Sequence, residues 1–355
     1  MFRTSRAAGL SLLLSTLLVA QEIPTISVNV KVVNVLATVR DKQGRIVNSL
    51  AKEDFLLEED GHPQVIKYFT RETDLPLTLG LLVDTSLSQL RVLDEERDAS
   101  AAFVNDVLRA DRDSAFLIRF DFDVELLQDL TTSPLKIQSA LNELTSPRRH
   151  DYSGTPVGQG GGTHFYDSVF LASDELMQKQ KGRKALVILT DGVDQGSKVT
   201  IDRAVEAAQR ADTVVYTVLF SDEQAYGGSR GGRPHISIGG PWGRGGSGWP
   251  GSGTGWPGGG GRGGVSHGDG KKVLERISRE TGGRMFEVTA KQNVTQIYSA
   301  IQDELRNQYN LGYSSDQPTG GNDYRKIKLI TREKGYKVQA RDGYYADTKQ
   351  QQASK

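Results

Sequence analysis

The sequence predicts an α/β fold of the Rossmann-like kind: a mainly parallel sheet with an antiparallel edge strand and helices on both faces, joined to a small β module built from the N- and C-terminal strands. Three observations carry this expectation. Apolar runs of strand length occur at residues 78–83, 185–190 and 213–220, without the polar alternation of a half-exposed strand, as strands covered on both faces require. Segments with apolar residues at helical spacing lie between them, the order of βαβ units. Both ends of the chain, residues 26–69 and 309–345, instead show strand alternation and turns with little helical periodicity.

The first twenty residues have the make-up of an export signal. Arg3 and Arg6 precede an almost wholly apolar stretch from residue 10 to 19, and Ala20 is a small residue at a plausible cut before Gln21. The stretch is short for a membrane span, so a secreted or periplasmic location is expected. Residues 26–70 then read as an N-terminal β segment, with a turn at Asp41-Lys42-Gln43-Gly44 and a tight hairpin at Asp60-Gly61 leading into a strand over 64–69.

From 76 to 308 the α/β alternation runs. A strand over 78–83 is followed by a helix over 90–108, then two strands, 114–120 and 124–130, joined by Asp121-Phe122-Asp123 as an antiparallel edge pair. Helices are expected over 134–144, where Pro134 suits a first turn, over 165–177, over 201–210, over 271–279 and over 294–308, with strands at 185–190, 213–220 and 285–288. Residues 309–346 return to β character and are expected to pack on the N-terminal segment, because neither end alone offers enough strands to bury a face.

Residues 227–270 differ in kind. They hold about half of the chain's 40 glycines and all three tryptophans, Trp242, Trp249 and Trp256, spaced seven apart. Such composition cannot bury enough apolar surface to offset its ordering entropy, so a mobile insert is expected. The tryptophans offer a possible stacking surface for a glycan or a partner.

The chain's 355 residues carry 44 basic and 44 acidic side chains and no cysteine. The balance gives no electrostatic reason to expect nucleic acid as a partner, and disulfides and cysteine-based zinc sites are excluded. The chemistry concentrates elsewhere. The strand at 78–83 runs into Asp84-Thr85-Ser86-Leu87-Ser88, Thr163 follows Gly161-Gly162, and Asp191 ends the strand at 185–190 and is followed by Gly192. Asp84, Ser86, Ser88, Thr163 and Asp191 are all hard oxygen donors, suited to Mg²⁺ or Mn²⁺.

This constellation resembles the metal-ion-dependent adhesion site (MIDAS) of von Willebrand factor type A domains, with all five positions filled. The wider organisation resembles the related family described from acidobacterial proteins, through Asp41-Lys42-Gln43-Gly44-Arg45, Glu53-Asp54-Phe55, Glu59-Asp60-Gly61, Leu311-Gly312-Tyr313 and Gly343-Tyr344-Tyr345. The resemblance implies that Ser86, Ser88 and Thr163 touch the cation while Asp84 and Asp191 hold its waters, leaving a place for an acidic residue of a partner protein. The expected function is therefore an exported, metal-dependent binding module for adhesion or assembly. A scaffold whose metal only fastens loops is the alternative.

An enzyme is not expected, since nothing pairs a nucleophile with a base. Asp121-Phe122-Asp123 has Glu125 where a phosphotransferase motif carries Thr or Val, and it fits a hairpin turn. Gly227-Gly228-Ser229-Arg230-Gly231 matches a hydrolase elbow but opens no helix. The five histidines show no metal-ligand spacing.

Overall fold

Residues 32–71, 75–89, 91–145, 162–220, 267–316 and 324–346 are described by the computed structural model of the chain. The export signal, the hydrolase-like Gly227–Gly231 match and the tryptophan-bearing part of the insert lie outside them. Among the described residues, no helix is long and apolar enough to cross a membrane.

The central sheet has six strands: β5 (Leu77–Asp84), β6 (Ser114–Phe120), β7 (Val124–Thr131), β8 (Arg183–Thr190), β9 (Val214–Leu219) and β10 (Met285–Glu287), in spatial order β10-β9-β8-β5-β6-β7. All neighbours are parallel except β6 and β7. Every residue of β5, β8 and β9 is buried, which is why their sequences read as unbroken apolar runs. β7 is half-exposed along its length, as an edge strand should be.

Helices cover both faces. α1 (Leu93–Val107), α2 (Pro134–Leu141) and α6 (Val294–Arg306) pack on one face around Leu79, Leu81, Val83, Phe103 and Ile297. α3 (Phe165–Leu171), α4 (Ile201–Arg210) and α5 (His267–Thr281) pack on the other around Leu82, Phe116, Leu186 and Leu274. Two helices start on side-chain caps that satisfy orphan backbone N–H groups: Thr200 for α4, and an Asn293–Gln296 capping box for α6. The helix expected over 165–177 is regular only to Leu171. Residues 172–176 widen into a π turn and 177–179 tighten into a 3₁₀ turn.

The chain's two ends form two four-stranded sheets. β1 (Val33–Arg40), β4 (Ile66–Arg71), β11 (Tyr309–Tyr313) and β13 (Lys337–Ala340) lie in the order β13-β1-β11-β4. β2 (Phe55–Glu59), β3 (His62–Gln64), β12 (Tyr324–Thr331) and β14 (Gly343–Tyr345) lie in the order β14-β12-β2-β3. One shared core, including Val35, Val39, Phe55, Leu57, Tyr309, Leu311 and Leu329, fills the space between them. Each sheet thus mixes strands from both ends of the chain. Asp60 and Gly61 both have positive φ, as a two-residue hairpin turn requires. The single strand expected over 64–69 is instead broken at the exposed Val65, so that β3 stays with β2 while β4 crosses to the other sheet.

Candidate metal centre

The carboxyl ends of β5, β6 and β8 are neighbours by pairing, and loops leaving that edge are where open α/β sheets place ligands. Asp84 is the last residue of β5 and is fully buried. Its two oxygens are held differently. Oδ1 accepts the Ser86 backbone N–H at 2.9 Å, and Oδ2 accepts the Thr190 hydroxyl at 2.6 Å. The first bond folds the loop back so that the Ser86 and Ser88 hydroxyls stand 3.0 Å apart. The second ties the loop to the end of β8. Thr85, buried beside them, donates its hydroxyl to Asp121 at 2.8 Å and its backbone N–H to the Phe120 carbonyl.

Asp191 follows β8 directly, is nearly buried, and accepts the Val193 N–H at 3.0 Å. Gly192 has φ of +78°, and α5 packs against it so tightly that a Cβ would lie 2.6 Å from the Gly270 carbonyl oxygen. Thr163 is nearly buried in the loop entering α3. That loop is pinned on both sides: the His164 N–H donates to the Asp121 carbonyl at 2.7 Å, and the Thr163 carbonyl accepts the Gln195 N–H at 2.9 Å. A Cβ at Gly162 would fall 2.1 Å from the Gln195 oxygen, so only glycine permits this approach. Asp84, Ser86 and Ser88 are therefore joined by direct hydrogen bonds, Asp191 is tied to them through Thr190, and Thr163 is placed by backbone bonds to the loop that follows Asp191.

Sequence reasoning passed over several side chains that build this edge. Asp167 accepts the Lys198 and Val199 N–H groups, and Asp194 accepts the Tyr166 N–H and the Ser197 hydroxyl. Together they knit residues 194–199 to the start of α3. No motif marks them, although acidic residues in the first turn of a helix are a known signal. Asp121-Phe122-Asp123 is the β6–β7 turn. Its buried Asp121 is engaged by Thr85 and by Arg119 at 2.9 Å, so it serves as an anchor for the Asp84 loop.

The electrostatics of the edge are unbalanced. Burial, reinforced by the Asp191 charge, raises the Asp84 carboxyl to about 7 against the hydrogen bonds from Ser86 and Thr190. Glu96, on α1, is pushed well above the usual carboxylate range by burial, then by the charges of Asp84, Glu95 and Asp191. Both Glu96 carboxylate oxygens and the buried Gln89 Oε1 lack hydrogen-bond partners. Buried carboxyls that repel one another are relieved by taking up protons or by a positive charge close by. The donor set, two carboxylates and three hydroxyls, fits a hard divalent cation. Among the described residues, no three His, Cys, Asp or Glu side chains are grouped to hold a metal by themselves, so any cation here depends on the hydroxyls.

Residues 79–193, from β5 through the loop after β8, match the family model of the von Willebrand factor type A domain. Over these residues the chain has the α/β fold of that domain. No curated protein matches the chain. Among solved structures it is similar to an aerotolerance-related membrane protein of Bacteroides fragilis, at 15% identity and a TM-score of 0.41 over 64% of this chain and 98% of that one. It is also similar to BatB of Bacteroides thetaiotaomicron, at 16% and 0.40 over 65% and 97%, and to a thread matrix protein of the mussel byssus, at 12% and 0.45 over 70% and 51%. At such scores the likeness is distant, and the site rests on the chain's own residues. Domains of this type commonly act as protein-interaction modules.

Proposed function

We propose that this type A domain is an exported binding module that holds Mg²⁺ or Mn²⁺ at Asp84, Ser86, Ser88, Thr163 and Asp191 and uses it to capture an acidic residue of a partner protein. The observation that carries the reading is the pairing of buried, mutually repelling Asp84 and Asp191 with a loop whose Ser88 reaches the surface: Asp84 is fully buried while Ser88 is exposed. Such a site presents one open side to solvent. A cation that only fastened loops would have no need of it. When bound, the cation supplies a positive centre whose remaining coordination place accepts a carboxylate. The chain's own part is to neutralise the cation incompletely, with hydroxyls replacing carboxylates, and to hold the donors rigid through Thr190, Asp121 and Gln195. Binding is the activity this arrangement is expected to carry.

Melting curves with and without cation test the reading. At a cation concentration about a hundred times Kd, stabilisation should reach roughly 2.7 kcal/mol, and each kcal/mol should move Tm by roughly 2–4 °C for a domain of this size. Asp84→Ala should remove the shift while the protein stays folded. A shift that persists in the variant places the cation elsewhere. Capture of a partner from cell-envelope extract should likewise be lost in chelator.

A further inference from the structure

The buried face of α1 consists of Leu93, Glu96, Ala99, Ser100, Phe103, Val104 and Val107. Glu96 is the one carboxylate on it. A fully buried glutamate on a core face is costly unless it is paired or hydrogen-bonded, yet neither oxygen has a partner. The Ser100 hydroxyl, one turn along, is committed to Tyr298 at 2.6 Å. A ladder of backbone bonds joins Glu96 to the loop that carries the hydroxyls: its N–H donates to the Val92 carbonyl at 2.9 Å, and the Val92 N–H donates to the Gln89 carbonyl at 3.0 Å. Gln89 lies in the turn that carries Ser86 and Ser88 toward α1, its N–H donating to the Ser86 carbonyl at 2.9 Å, and its buried Oε1 is unpaired as well. Once ionised, Glu96 offers only acceptors, as does Gln89 Oε1, so what they lack is a donor. A water held by a cation is such a donor, with two protons to give and an acidity raised by the metal.

No three acidic or histidine side chains are grouped as direct ligands among the described residues, so a role for Glu96 at the site runs through water. We propose that Glu96 is a third carboxyl of the cation site, reaching the metal through bound water, with Gln89 as a second acceptor, and setting how tightly the site holds its cation. This rests on the cation reading above. It explains why a core helix face spends a position on a carboxylate, and it places the control of affinity on α1, out of reach of the partner.

The test is Mn²⁺ titration of the full chain, followed by the paramagnetic resonance signal of free Mn²⁺, alongside melting in chelator. Glu96→Gln keeps the shape and removes the charge. It should weaken Mn²⁺ binding about 10- to 100-fold, the usual cost of losing an outer-shell partner, while the melting temperature in chelator holds or rises. Glu96→Asp, which keeps the charge on a shorter arm, should fall between. Wild-type affinity in Glu96→Gln overturns the proposal, as does a loss of affinity accompanied by a lower melting temperature in chelator in both variants, which would mark a packing role. Wild-type protein that takes up no Mn²⁺, or Asp84→Asn that binds as tightly as wild type, overturns the cation reading itself.

Discussion

Asp84 makes stability depend on pH in a definite direction. Its carboxyl stands near 7 in the folded chain, against an ordinary value of 3.8, so between those values the folded state binds a proton that the unfolded chain releases. Cation-free protein must therefore gain stability as pH falls from about 7 toward 4 and lose it as pH rises through the same window, with little further change above 7. The gap sets an upper bound of roughly 4 kcal/mol for Asp84 alone, and Glu96 acts in the same sense. Glu59 and Asp113, whose carboxyls are held below the usual range, weaken the protein only in stronger acid. Melting in chelator should give a higher Tm at pH 5.5 than at pH 8, and Asp84→Asn should flatten the trend. A Tm that rises with pH over this window in chelator would contradict the assignment. Saturating Mg²⁺ should oppose the trend, because cation and proton compete for the same oxygens.

At the scale of elements, Glu59 fastens four strands. It ends β2, is fully buried, and accepts hydrogen bonds from Tyr313 of β11 at 2.5 Å, Arg325 of β12 at 2.7 Å, Tyr344 of β14 at 3.1 Å and Ser315. Burial works to raise its carboxyl, but the bonds from Ser315, Tyr313, Arg325 and Tyr344 prevail and hold it low. Removing one member of a buried ion pair leaves the other uncompensated, at a cost of roughly 3–5 kcal/mol. Glu59→Ala should lower stability by about that amount in urea unfolding without changing Mn²⁺ affinity. A loss under about 1 kcal/mol would mean that water enters and satisfies Arg325. The sequence pattern Glu59-Asp60-Gly61 was legible as a hairpin, because Asp-Gly suits positive φ. Its glutamate was not legible as a clasp, because its partners lie more than 250 residues away. The break at Val65 was hidden for a similar reason: β3 and β4 are continuous in pattern and are parted only by the sheets they join.

At the scale of the molecule, β11 lies between β1 and β4, and β12 between β14 and β2. Truncation before Tyr309 removes the central strand of the first sheet and β2's long partner in the second. Limited proteolysis of such a chain should cut within residues 33–71 while fragments of the central sheet persist. Equal resistance of those residues in the truncated and intact chains would show that β1 and β4 hold without the tail. The two layers also meet at Glu304 of α6, fully buried and ion-paired with Arg40 of β1 at 2.5 Å and Arg284 at 2.9 Å. The truncated protein is therefore expected to expose the Arg40 side chain without unfolding α6.

The α/β class, the antiparallel edge pair and the β character of both ends were readable from sequence alone, because burial on two faces, on one face or on a helical stripe each leaves its own periodicity. That Asp84 ends an apolar strand, that Asp191 follows another and that Thr163 follows a glycine was readable because those markers are local. Tertiary structure alone decided that the ends make two sheets rather than one, since strand order is a property of pairing and not of pattern. It alone also singled out Glu96. In the run Asp94-Glu95-Glu96-Arg97 that residue reads as one more solvated acid at a helix start. Only the packing of α1 on the sheet turns it inward and leaves both its oxygens without a partner.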